Sequence, residues 1–500
     1  MNRTALYVTL NAAFAAIVSI GMLQQPQAGS HALYLIALFA LCTSSMFGMR
    51  QLHGRFALLC AFSATYFLLF GALDAIHLLA GEAVRPAMSG VISTTEALVL
   101  MGGVMAHAGY RLAGRLTPSL SPIRVQKDWS EQMLLWVGGV LWITCTVLSW
   151  QYKVNVISDM TTEATTRGLA SISDAQKALY ILAVMVQPLG ILMLAYAQSR
   201  YRRRSLVPVL ISVVFIQLVF GFIIDVKGEA LIGAVLVILT KLLVDGKLPK
   251  VWLVASVAFI AVAFPVLQAN RHVRAEYGVD RPNAAQQISQ VFERSLSASK
   301  GIASGSVDAT SATFFERMSL KGIVEMIVSG TSDQVEFQHG HTLTPILTAF
   351  IPRLIWPSKP DVQAGQLLNK EFRVSEVEFT YISPSHLGEL YWNYGWTGAV
   401  LGMLIIGMLL GFLGARFSLS DRVTLARIMV VIATIRLIIL GFESSVAAQY
   451  VLWIRSMLAI GVLHFLFARQ QVGAASTVEA NQTAPSPAMI ANKVFVNLMR

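Results

Sequence analysis

Between Gly340 and Pro360 the chain reads GHTLTPILTAFIPRLIWPSKP, setting two cations, Arg353 and Lys359, in an apolar stretch stiffened by Pro345, Pro352 and Pro357. Arg offers paired donors to a phosphate and Lys a point charge, so this segment at the lip of a bilayer suits a lipid phosphate. Arg271, Arg274 and Arg317 precede it, and histidines and carboxylates lie alongside. Such a set suits group transfer from a lipid pyrophosphate. The cations neutralise the leaving phosphate, and a nearby His or Glu takes a proton from an attacking hydroxyl. His339, His341 and His386 lack HxxxH or HExxH spacing. There is also no Walker loop, dinucleotide fingerprint or GxSxG elbow. Metal, nucleotide and serine-hydrolase chemistry therefore have no support in the sequence, and no cofactor is expected.

The elements that must position these residues are membrane helices. Of 500 residues 55% are hydrophobic and 13% charged, where a soluble domain carries roughly a quarter charged, and the mean hydropathy is +0.62. Repeated apolar runs of about 20 residues read as spanning helices. Twelve are expected, near 5–23, 32–49, 56–76, 88–109, 132–150, 178–198, 206–225, 229–245, 251–268, 395–415, 427–443 and 447–467. The formal charge of +11 sits between these runs and reads as a topology signal rather than a nucleic-acid footprint. Cys42, Cys60 and Cys145 fall inside apolar runs, so no disulfide framework is expected. Arg3 followed by the run from Ala5 to Leu23 resembles a signal peptide, but with many spans downstream it is read as an uncleaved first helix.

Short loops on one side carry Arg50, Arg55, Arg115, Arg203, Arg204, Lys247 and Arg422 among others, and the other side only Arg85, Lys153, Arg167, Lys177 and Lys227. The ratio is roughly three to one, which places both termini in the cytoplasm. The chain then divides into a membrane domain over 1–268, a long periplasmic loop over 269–394, further spans over 395–470 and a polar cytoplasmic tail over 471–500, expected to be disordered. Within the loop, Ile288, Val291, Phe292 and Leu296 share one helical face, as do Phe315, Met318, Ile323 and Ile327. Leu343 to Trp356 is apolar but too short to span. It reads as an interfacial or re-entrant piece with Trp356 at headgroup level, or as a buried loop core. Asp74, His77, Glu96, Asp225, Glu229, Glu443 and Arg455 crowd the outer half of the spans. They imply a polar outer cavity or dispersed ion pairs such as Glu96 with Arg455.

Arg317 to Pro360 resembles the Wzy-type oligosaccharide repeat-unit (O-antigen) polymerases. The resemblance rests on Arg317, Gly340 and the run Ile351-Pro352-Arg353-Leu354-Ile355-Trp356-Pro357-Ser358-Lys359-Pro360. It continues in Ser383-Pro384-Ser385, Gly388-Glu389, the turn Asn393-Tyr394-Gly395 and Gly398. Asp225-Val226-Lys227-Gly228 is similar to a family turn that usually carries Arg where this chain has Lys227. The resemblance implies an all-α polytopic fold like the C-type glycosyltransferases. It also implies transfer of a growing glycan from undecaprenyl pyrophosphate to the terminal hydroxyl of an incoming lipid-linked repeat unit. Expected partners are the lipid-linked glycan, the bilayer, a chain-length regulator and a flippase, with no nucleic acid.

On this resemblance Arg353 is the candidate pyrophosphate clamp, with an interfacial anchor as its alternative role, and Lys359 assists it or is merely solvated. Arg317 contacts phosphate or glycan, or forms a helix-surface ion pair. Arg271 and Arg274 bind headgroups or anchor the ninth span. His386 and Glu389 are the candidate bases, with capping or glycan hydrogen bonding as the alternative for His386. His341 is a weaker candidate. Tyr391, Trp392 and Trp396 stack on sugars or form an aromatic belt. Two other readings stay open: an O-antigen ligase of similar architecture, and a lipid-linked oligosaccharide flippase. The lack of an internal repeat weighs against the flippase.

Overall fold

The computed structural model describes residues 3–24, 29–47, 57–80, 91–117, 128–152, 174–223, 227–247, 249–255, 319–351, 356, 363–374, 382–419 and 423–468. Among the described residues the protein is all-helical, with an isolated bridge between Thr331 and Val335 and no strand. In hydrocarbon only a helix or a closed barrel satisfies its own backbone, so an apolar chain of this kind has few other choices. Among the described residues seven helices are long and apolar enough to cross a membrane: Ala5–Leu23, Ala57–Leu79, Glu131–Ser149, Leu182–Tyr201, Ser385–Arg416, Leu425–Glu443 and Val446–Phe467. Ser30–Thr43 and Leu206–Val219 are shorter apolar helices. Large apolar side chains such as Trp136, Phe215, Ile405 and Phe465 face outward, an arrangement suited to lipid and costly in water.

The helices are α1 (Arg3–Gln24), α2 (Gly29–Thr43), α3 (Ala57–Phe67), α4 (Leu73–Ala80), α5 (Val91–Leu116), α6 (Glu131–Tyr152), α7 (Asp174–Tyr201), α8 (Leu206–Ile223) and α9 (Lys227–Asp245). After a long stretch outside the described residues come α10 (Lys321–Gly330), the short α11 (Thr344–Leu347), α12 (Ala364–Phe372), α13 (His386–Arg416), α14 (Leu425–Thr434) and α15 (Val446–Phe467). The spans expected near 88–109 and 229–245 fall on the helices α5 and α9. The amphipathic set Ile288 to Leu296, most of the span expected at 251–268 and the tail from 471 lie outside the described residues. Of the second amphipathic set, Ile323 and Ile327 fall on α10, where Leu320, Val324 and Ile327 form the buried face.

The centre of the bundle is a parallel contact between α5 and α13 made backbone to backbone. Gly407 lies on the Ala106 carbonyl, Gly109 on the Leu404 carbonyl, and a Cβ at Gly411 would stand 2.6 Å from the Tyr110 carbonyl oxygen. Lipid tails are as apolar as the helix faces, so burial of apolar area adds little between helices, and close packing of small residues supplies the attraction instead.

α13 is two helices in sequence. Tyr394 (φ −143°) and Gly395 (φ +59°) leave helical geometry, and the 386–393 half folds back so that Leu390 packs on Gly398 and Gly402. The positive φ suits Gly395 because it has no Cβ to clash. This is the Asn393-Tyr394-Gly395 turn of the sequence, and it stands at the start of the span expected at 395–415.

Replacing Gly407 or Gly109 by Ala is expected to lower stability by about 1–3 kcal/mol through overpacking. Ala at Gly139 or Gly461, where a Cβ meets nothing within 4 Å, is expected to be neutral or stabilising by up to about 1 kcal/mol. Thermal unfolding of the four variants in one detergent checks this. Equal melting of the two pairs would contradict the packing argument.

Candidate functional site

The 386–393 helix, the segment from Gln338 to Leu343 and the start of α15 meet at one end of the bundle. Ser385 begins the 386–393 helix, its Oγ accepting from Gly388 N at 3.1 Å. Ser445 begins α15 in the same way, accepting from Ala448 N at 3.2 Å. These caps satisfy amide donors that a helix start otherwise leaves unpaired.

Asn393 ties the pieces together. Its Oδ1 accepts from Gly340 N at 2.8 Å, and its Nδ2 donates to Thr342 Oγ1 and to the Glu389 carbonyl, each at 2.7 Å. Gln338 N and His339 N donate to the carbonyls of Trp392 and Asn393. Gly340 takes a left-handed φ of +87°, with the Tyr394 hydroxyl where a Cβ would stand. Two parts of the sequence more than fifty residues apart thus form one knot.

Glu389 lies at the centre, fully buried. Its Oε2 accepts from Val446 N at 2.6 Å, so the carboxylate sits at the positive end of the α15 dipole. Its Oε1 meets no donor of ordinary hydrogen-bond geometry among the described residues, although the Thr342 hydroxyl stands beside the carboxylate. His386, also fully buried, packs against Phe442 (4.7 Å between centroids) and Tyr450 (5.7 Å), and its ring nitrogens find no hydrogen-bond partner among the described residues. On the flank, Gln338 Nε2 donates to Glu371 Oε2 at 2.8 Å. Burial raises the Glu371 carboxyl above its ordinary range, opposed by that bond and by nearby His341 and Lys370.

A second polar constellation lies beside the knot, joined to it by α10. Val324 and Ile327 of α10 pack on Gly388. At its N-terminus Lys321 Nζ donates to Asp74 Oδ2 and to Glu96 Oε1, both at 2.9 Å, and lies 5.0 Å from the Tyr34 ring centre. His31 bridges the same carboxylates, with Nδ1 2.6 Å from Glu96 Oε1 and Nε2 3.5 Å from Asp74 Oδ2. All four are buried. Between α3 and α4 the helix widens into a π segment, Leu68–Ala72. Such a segment releases carbonyls from the ladder. Leu69 O accepts from Leu320 N at 3.0 Å and Phe70 O from the Tyr34 hydroxyl at 2.7 Å. Burial raises the Glu325 carboxyl on α10, opposed by Lys321 and reinforced by Asp74 and Glu96.

The structure thus brings together Gly340, Glu389 and Asn393, with His386 in an aromatic pocket one turn away. Arg353, Lys359, Arg317, Arg271 and Arg274 lie outside the described residues, as does the side chain of Lys227 at the start of α9. Trp356 is half-buried. Trp392 is fully buried against Phe372, whereas Tyr394 and Trp396 are exposed. His339 and His341 are exposed. Glu96, for which Arg455 was one expected partner, takes Lys321 and His31. Lys321 and His31 carried no sequence signal of this role. A lysine opening an amphipathic helix reads as a solvated residue, and its partners lie 225 and 247 residues away. No family model, curated protein or solved structure matches the chain.

Asn393→Ala removes three hydrogen bonds and leaves Gly340 N and the Thr342 hydroxyl to find new partners. It is expected to cost about 1–3 kcal/mol and to raise protease cleavage within 338–351. Unchanged cleavage there would mean the segment is held by other contacts.

Proposed function

We propose that this protein polymerises undecaprenyl-pyrophosphate-linked oligosaccharide repeat units at the periplasmic face of a bacterial inner membrane. The observation that carries the reading is the Asn393 knot. Gly340 and the Gly388–Glu389 and Asn393-Tyr394-Gly395 elements, on which the family resemblance rests, are hydrogen-bonded into one unit beside the start of two helices. The seven apolar helices support a membrane enzyme. Twelve spans, an architecture like the C-type glycosyltransferases and cytoplasmic termini complete the proposal.

In this reading the terminal hydroxyl of the incoming lipid-linked unit attacks the anomeric carbon of the growing glycan. A new C–O bond forms as the bond to pyrophosphate breaks, and undecaprenyl pyrophosphate leaves. Arg353 clamps the pyrophosphate, assisted by Lys359. Arg317 contacts phosphate or glycan, and Arg271, Arg274, Lys227 and Trp356 line the approach of the lipid carrier. Positive charge held where the leaving phosphate gains negative charge lowers the barrier. The hydroxyl proton passes to the Glu389 carboxylate, whose Oε2 is already engaged by Val446 N. His386 shapes the aromatic wall beside it.

The size distribution of surface and lipid-linked glycan in a deletion strain, with and without the gene restored, tests the reading. Single repeat units replacing a ladder are expected. Full-length polymer retained on its carrier would indicate a ligase instead, units trapped on the cytoplasmic leaflet a flippase, and an unchanged pattern would overturn the reading. In the same strain Arg353→Ala and Glu389→Gln are expected to abolish long polymer while the protein accumulates normally, because a Gln amide oxygen still accepts from Val446 N. Wild-type polymer from either variant would remove that residue from the mechanism.

A further inference from the structure

The end of the bundle opposite the knot holds a set of charges that the proposed chemistry does not use. α13 and α15 both begin at the knot and finish at this end. Here Trp129 meets Phe467 (5.6 Å between centroids), and the Tyr196 hydroxyl stands 3.3 Å from the Val423 carbonyl oxygen. α7 and α9 pack together and finish at the same end, joined by two rungs one turn apart. Lys241 Nζ donates to Gln198 Oε1, and the Arg202 guanidinium lies 3.5 Å from Asp245 Oδ1.

Lys241 is only 8% exposed. Its ammonium has the Gln198 amide oxygen on one side and the Trp252 ring on another, with Nζ 5.8 Å from the ring centre. Both are uncharged, because the facing helix carries Gln198 where a carboxylate would have neutralised the lysine. Asp245, one turn on, is engaged by Arg202. Two cations and one carboxylate leave the rungs a net charge of +1, and a buried charge is expensive until a counter-charge meets it. Arg204, Lys247 and Lys250, each two residues from a member of this set, are exposed and add positive charge. Beside Trp252, Val251 and Val254 are exposed as well.

We propose that Lys241 and Arg202, with Gln198 and Trp252, form a binding site for the phosphate of an anionic phospholipid. A phosphodiester brings the single negative charge that the two rungs lack. Lysine meets it as a point charge and arginine through paired donors. Lys241 lies one turn, about 6 Å, inside the end of α9, a depth from which a lysine stem reaches headgroup level. Tryptophan favours the same level. A free phosphate ion has the same chemistry at the cations, but it leaves Val251 and Val254 uncovered, whereas the acyl chains of a lipid cover them. In the proposed topology this end faces the cytoplasmic leaflet, whose anionic lipids are drawn to basic pockets between helices. The site stands apart from Glu389 and needs no part of the glycan chemistry.

Thermal unfolding of the full-length protein in one detergent, titrated with dioleoylphosphatidylglycerol, with dioleoylphosphatidylcholine or with inorganic phosphate, tests this. The wild type is expected to melt higher with the phosphatidylglycerol than with the phosphatidylcholine, and to gain nothing from inorganic phosphate. Lys241→Gln is expected to raise the half-saturating phosphatidylglycerol by about tenfold or more, the worth of a charged hydrogen bond. Arg115→Gln, which removes an exposed charge at the same end of α5, is expected to leave it unchanged. Asp245→Asn is expected to lower it, because the carboxylate no longer competes for the two cations. That opposite sign separates binding from loss of fold, and with the wild-type lipid comparison it decides the matter even where Lys241→Gln fails to fold. An equal response to both lipids, a wild-type response in folded Lys241→Gln, or the same rise with inorganic phosphate alone would overturn the proposal.

Discussion

A lysine ammonium buried among helices must be met by carboxylates, and at one end of this bundle that need organises everything nearby. Lys321 draws Asp74 of α4, Glu96 of α5 and His31 of α2 to a common point, with Nζ 3.3 Å from His31 Nδ1. Removing Lys321 would leave two buried carboxylates without their counter-charge, so the cluster depends on it. The π segment before Asp74 contributes the rest, since the carbonyl it frees is the one that receives Leu320 N. A helix from outside the transmembrane set is thereby fixed on the bundle, and Val324 and Ile327 of its buried face support Gly388.

From there the constraint passes to backbone geometry. One glycine face of α13, at Gly407 and Gly411, lets α5 approach to carbonyl contact, and the fold-back at Gly395 returns the 386–393 helix over a second pair, Gly398 and Gly402. Asn393, at the end of that short helix, then meets the Gly340 turn. Glu389, one turn earlier, meets the first amide of α15. The polar knot therefore rests on apolar close packing below and on the ion cluster beside it.

Much of this was legible in the sequence wherever the signal was local. Apolar runs marked the helices, and Asn393-Tyr394-Gly395 marked the turn because glycine permits a backbone that other residues resist. The concentration of Asp74 and Glu96 near one end was visible too. The pairing was not. Nothing near Lys321 distinguishes it from a solvated helix residue, and the choice of partner is made by tertiary contact across more than two hundred residues. The burial of His386 was hidden for a similar reason, because its aromatic walls, Phe442 and Tyr450, arrive from two other elements. α5 shows the converse: its charged and polar residues dilute its hydropathy, yet it packs at the centre of the bundle.

The chemistry proposed for the knot needs only a lipid-linked glycan, a second lipid-linked glycan and the protein. The most direct measurement is therefore reconstitution of the purified protein in lipid bilayers with undecaprenyl-pyrophosphate-linked repeat units as the sole substrate, with product mass and released carrier followed together. A series of products spaced by one repeat unit, with one undecaprenyl pyrophosphate freed per linkage, is the expected result. Repeat units that stay single, or that elongate only when a separate glycolipid acceptor is added, would contradict the account.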